Sequence, residues 1–189
     1  MGGILESFES FAIGIANTIP STRLKIWLSA YFHPVETFEK EKKNASLRQM
    51  FLDILLVVFF YSAIATLLTP LTLSISYAIV KPQDMTVPNM IPLNFFLYSL
   101  VGGIVGVFLG YYLIFLCSKT LGGKCGFTVQ SYGMALVFCA RSAITTILFV
   151  IMGVPCLNII ALLPGLYGIY GEYRVLKAAS GLSTKRAAA

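Results

Sequence analysis

From Cys125 to Gly171 the chain carries a single formal charge, Arg141, set in the run Ala135-Leu136-Val137-Phe138-Cys139-Ala140-Arg141-Ser142-Ala143-Ile144. A hydrocarbon core takes about 20 helical residues to cross, so this stretch supplies two crossings with a turn at Gly153-Val154-Pro155. It fixes the solvent as lipid, and lipid cannot hydrate an arginine. Arg141 must therefore face protein, water or a ligand. The composition agrees, since 57% hydrophobic and 12% charged residues exceed the apolar balance of soluble domains.

Four stretches are long and apolar enough to span: 47–80, 93–117, 128–152 and 154–173. The first opens at Ser46, with Gln49 three residues on completing a capping box, and Pro70 predicts a kink within it. The cations set the topology, because Lys and Arg in short loops stay cytoplasmic. Arg23, Lys25, Lys40, Lys42, Lys43 and Arg48, then Lys119 and Lys124, then Arg174, Lys177, Lys185 and Arg186 all fall on one side. Lys81 alone falls on the other. Both termini are expected in the cytoplasm, and the sequon at Asn44 then reads as a helix start. With Glu6 and Glu9 ahead of any cation, the N-terminus lacks the pattern of a signal peptide and reads as retained.

Two amphipathic segments precede the first span. Ile4, Leu5, Phe8, Phe11, Ala12, Ile15 and Ile19 recur at helical spacing opposite Glu6 and Glu9, an acidic face suited to docking on protein. Leu24, Trp27, Leu28, Tyr31 and Phe32, flanked by Arg23 and Lys25, predict a helix lying in the plane of the cytoplasmic headgroups. The expected organisation is an amphipathic, interfacial region over 1–46, a membrane bundle over 47–176 and a short basic tail over 177–189.

Helix contacts are expected where glycine recurs. Gly102, Gly106 and Gly110 form one flat stripe that lets another helix approach, from this chain or a second one, and Gly165, Gly168 and Gly171 form another beside Pro164. Cys117, Cys125, Cys139 and Cys156 have neither CxxC spacing nor a nearby histidine, so they read as reduced, packed thiols.

The residues offer little for chemistry. His33, the only histidine, precedes the first span, and Asp53 and Glu172 lie within about two turns of the cytoplasmic helix ends, in reach of Arg48, Arg174 or Lys177. No catalytic constellation, phosphate loop, metal set, cofactor site or nucleic-acid patch is expected. Helix counting places no acid at the depth of Arg141. Its partners are then expected to be backbone, with the Ile160 carbonyl freed by Pro164 and with Ser142, Thr145 and Thr146 as further acceptors, or a carboxylate on another chain. Alternatively, Arg141, Ser142 and Thr145 contact an anionic solute.

Three patches carry a resemblance. His33-Pro34-Val35-Glu36-Thr37-Phe38 before the first span, Leu121-Gly122-Gly123-Lys124-Cys125-Gly126-Phe127 after the second, and Ala179-Ser180-Gly181-Leu182-Ser183-Thr184-Lys185-Arg186-Ala187 after the fourth resemble, in order and spacing, Yip1-domain proteins. The resemblance implies a non-enzymatic multispanning protein. Its eukaryotic relatives work in vesicle traffic with small GTPases of the Rab type, whereas many prokaryotic relatives have no assigned role. The family usually has five spans, so this chain reads as a four-span variant or a truncated form; the family's third-span proline is also missing, with Arg141 in its neighbourhood.

The expected fold is an all-α integral membrane bundle of four transmembrane helices with N-terminal amphipathic interfacial helices. The expected role is a scaffold or accessory subunit of a membrane complex, with anionic lipids at the cytoplasmic face and a membrane protein or second copy as partner. Its membrane would be the cell membrane in a prokaryote and the ER or Golgi in a eukaryote, with a GTPase partner only by family analogy. The alternatives are a transporter or channel subunit built around Arg141, and a subunit of a membrane enzyme without catalytic groups of its own.

Overall fold

The computed structural model describes the backbone of residues 22–80, 92–152 and 158–183, and side chains over 22–68, 93–148 and 163–183. The acidic amphipathic stretch 4–19, the 153–155 turn and Cys156 lie outside the described residues. Within them the chain is all helical: α1 (Thr22–Phe32), α2 (Pro34–Glu41), a 3-10 turn (Lys42–Asn44), α3 (Leu47–Val80), α4 (Pro92–Thr120), α5 (Phe127–Met152) and α6 (Asn158–Ser180). Three of these are long and apolar enough to cross a membrane, over 47–68 of α3, 93–120 of α4 and 127–148 of α5. The fourth apolar stretch is a helix of 23 residues, α6, whose first side chains are outside the described set.

Local sequence sets the boundaries. The Ser46 hydroxyl accepts the Gln49 N–H at 3.1 Å, capping α3, a bond of the kind that contributes about 1 kcal/mol. The Gln49 side chain does not close the box; it donates instead to Asp53 Oδ1 at 3.0 Å. The helix runs on through Pro70 to Val80. Pro34 starts α2, where its missing N–H costs nothing. Gly122, at φ 94°, turns the chain out of α4 into the short loop before α5.

The core is built around α5. Its residues from Gln130 to Val137, with Cys139 and Ala140, are buried beneath α1, α3 and α6. Helices α5 and α6 run antiparallel and meet through glycines. A Cβ at Gly133 would lie 2.8 Å from Val175 Cγ1, one at Gly171 would lie 3.0 Å from Val137 Cγ1, and one at Gly168 would strike the Arg141 side chain. In lipid no hydrophobic force drives helices together, so this close approach, and the dispersion it permits, carries the packing.

Helix α1 packs on the bundle, mainly on α5, with Trp27, Ala30, Tyr31 and Phe32 buried. Trp27 is 6% exposed and lines a groove with Leu56, Val57 and Phe60 of α3 and Ala143 and Thr146 of α5. Of its basic flank, Arg23 turns inward to an acid, Asp53 of α3, while Lys25 is exposed. A hairpin of α1 and α2 therefore docks on the bundle, closed by a 2.8 Å contact between the Ser29 and Thr37 hydroxyls.

Candidate functional site

Arg141 has its counter-ion within the chain. Its Nη1 lies 3.1 Å from Glu172 Oε1 of α6, which overturns the expectation that no acid is in reach. The reason is side-chain direction. In an α-helix each Cα–Cβ bond tilts toward the N-terminus, so in antiparallel helices the side chains of α5 and α6 lean toward one another. Arg141 sits over Gly168, and Glu172 is four residues further along α6, a separation of about 6 Å that two long side chains close. The guanidinium thus reaches toward the face of the bundle that holds α2 and the α4–α5 loop, here called the N-terminal face.

The pair is 20% and 14% exposed at its side chains. It is close without being aligned as a hydrogen bond, since Glu172 Oε1 is buried and accepts none. The Phe138 ring adds a cation-π contact, 5.4 Å from Arg141 Cζ. The buried Tyr111 hydroxyl of α4, which has no hydrogen-bond partner, lies in the field of both charges. Tyr111 was not singled out by sequence, where it reads as one more aromatic in an apolar helix.

Two of the further acceptors expected for Arg141, the hydroxyls of Thr145 and Thr146, turn to their own helix. Thr145 Oγ1 donates to the carbonyls of Arg141 and Ser142 at 2.9 and 3.1 Å, and Thr146 Oγ1 donates to the Ser142 carbonyl at 2.6 Å. Ser142 and Thr145 line a groove of about 280 Å³ on the other side of Phe138, framed by Val57, Val58, Gly103 and Val107. The carbonyl that Pro164 makes useful is its own: it accepts the Tyr31 hydroxyl at 2.9 Å. Burial and the neighbouring Tyr167 hold the Tyr31 hydroxyl protonated, well above its usual range, so it remains a donor.

A second ion pair fastens α1. Asp53 of α3, 4% exposed, is paired with Arg23 through Nη2 and through Nε at 3.2 Å. Arg48, Arg174 and Lys177, the partners expected for this acid, are not the ones that meet it. Arg23 Nη1 also reaches the Tyr132 hydroxyl at 3.4 Å. Burial alone would depress the Arg23 pKa, but its hydrogen bonds and the charge of Asp53 outweigh it and raise the value.

The glycine stripes divide. Gly102, Gly106, Gly110 and Gly165 have nothing within 4 Å of a would-be Cβ, whereas Gly168 and Gly171 are packed. The close contact on α4 is one register away, at Gly103, where a Cβ would lie 2.7 Å from Val58 Cγ1.

The three patches noted in the sequence converge at the N-terminal face. Phe38 and Pro34 of α2 pack at Gly133 and Gly171. Gly123 donates to the Ser118 carbonyl at 2.8 Å, Lys124 to the Ser180 carbonyl at 3.2 Å, and the hydroxyls of Ser118 and Ser180 meet at 2.9 Å. A Cβ at Gly123 would lie 2.8 Å from the Ser118 carbonyl oxygen. These residues thus lock α4, α5 and α6 together at one end, and Gly181, at φ 64°, ends α6 there.

Neither the curated proteins nor the solved structures hold a match to the chain. The model of one family, the Yip1 domain, matches residues 28–189, from within α1 onward. The chain belongs to the Yip1 domain family of multi-pass membrane proteins.

Proposed function

We propose that this chain is a non-enzymatic scaffold or accessory subunit of a membrane complex, and that the outward face of α4 receives its partner helix. The observation that carries this reading is the contrast in α4 itself. Only 6% of its most apolar window is buried, while Gly102, Gly106 and Gly110 leave a flat stripe open. Small residues at such a stripe allow a helix to approach closely, the main source of affinity between helices in lipid. In this reading α6 is the fourth crossing and both termini are cytoplasmic, with the basic residues of the N-terminal face meeting anionic headgroups. A role in membrane trafficking or organisation, and any GTPase partner, rests on the family alone.

The intramembrane charges support a structural role for the site residues. Arg141 is neutralised by Glu172 and Asp53 by Arg23, so an anionic solute at Arg141 would meet a carboxylate already in place. Gentle detergent purification tests the proposal. The native chain is expected to bring down a stoichiometric membrane partner or a second copy of itself. Gly106→Leu is expected to lose that partner without loss of folded monomer. Retention of every partner by Gly102→Leu/Gly106→Leu would refute the assignment of the α4 face.

A further inference from the structure

The α1–α2 hairpin thickens only one end of the bundle. Its deepest described points are Tyr31, whose hydroxyl bonds the Pro164 carbonyl, and Trp27, which lines a groove with Phe60 and Ala143. From there α2 returns along α6 and α5, with Pro34 at Gly171 and Phe38 at Gly133. Among the described residues, a section through the N-terminal face cuts six helices, and a section through the opposite face cuts only α3 to α6. Each added helix is about 10 Å wide.

The outward side of the hairpin says where it sits in the bilayer. Lys25, His33, Glu36, Glu39 and Lys40 are exposed, and such groups are too costly to leave in hydrocarbon. The inward side carries Trp27, Ala30, Tyr31 and Phe38, all buried. The hairpin therefore lies in one leaflet, its exposed charged side toward the headgroups and Tyr31 reaching down to the Pro164 carbonyl, and it is bolted to transmembrane helices. The bolt is the Arg23–Asp53 pair with Tyr132 and Gln49. Among the described residues, an element that occupies area in one leaflet and none in the other gives the bundle a taper.

We infer that the hairpin makes this chain a wedge whose broad end is the N-terminal face, so that it prefers bilayers convex on that face. The ligand of this surface is the membrane itself, selected by curvature.

The test uses the full chain reconstituted at low density into phosphatidylcholine vesicles of two sizes, small sonicated and large extruded. External trypsin reads orientation, because the exposed Lys42 and Lys43 are cut from outside only when the N-terminal face points outward. The fraction with that face outward is expected to shift upward in the small vesicles. Equal fractions in the two sizes would overturn the inference. Arg23→Glu is expected to abolish the shift, and Arg23→Glu/Asp53→Arg to restore it. A folded Arg23→Glu protein that keeps the full shift would also overturn it; if that variant does not fold, the wild-type size comparison and the double variant decide.

Discussion

Helices α4 and α5 are both apolar enough to span a bilayer, yet 6% of one window is buried and 61% of the other. The buried one is the more polar. Along α5, Gln130, Ser131, Tyr132 and Thr146 are buried with Arg141 beside them, whereas α4 turns Leu97, Val101, Val105, Leu109 and Leu113 outward. Water inverts this order; lipid does not penalise an exposed leucine and does penalise an exposed guanidinium. Polarity within a span therefore marks the packed helix, and uniform apolarity marks the one left to lipid or to a partner.

The comparison can be broken most forcefully at Glu172. Glu172→Ala leaves Arg141 without its counter-ion and is expected to cost about 3–5 kcal/mol, read as a lowered midpoint in detergent-to-SDS unfolding. Asp53→Asn weakens a charged hydrogen-bond set at the edge of the bundle and is expected to cost about 1.5–3 kcal/mol. Faster tryptic cleavage at Arg23 and Lys25 would accompany it. The two glycine classes sharpen the contrast further. Gly133→Leu should destabilise by about 1–3 kcal/mol through overpacking, while Gly106→Leu on α4 should leave the unfolding midpoint of the monomer within about 0.5 kcal/mol. Ser46→Ala is expected to cost about 1 kcal/mol through loss of the α3 cap, visible as faster amide exchange in its first turn.

Much of this architecture is legible in the sequence, and the failures share a cause. The apolar runs, the Ser46 cap and the three family patches can be read because they are local in the chain. Glu172 was misplaced because helix counting compares Cα depths, whereas ion pairs form between side-chain tips, and antiparallel tilt brings those tips together. Trp27 and Arg23 have the composition of an interfacial helix, and only the buried acid at Asp53 tells that Arg23 turns inward. Among the glycines, spacing alone cannot separate Gly102 from Gly103. Adjacent positions on a helix face directions about 100° apart, and which direction meets a neighbour is a property of the bundle.

The account stands on α5 and α6 being joined by the Arg141–Glu172 pair, and a double-mutant cycle with Arg141→Met and Glu172→Leu tests it directly. Each single variant strands a charge in the bundle, and the double variant removes both. The unfolding midpoints are expected to show a coupling of about 1–3 kcal/mol, with the double variant more stable than Glu172→Leu alone. Strictly additive losses would contradict the pairing and return Arg141 to the search for a partner.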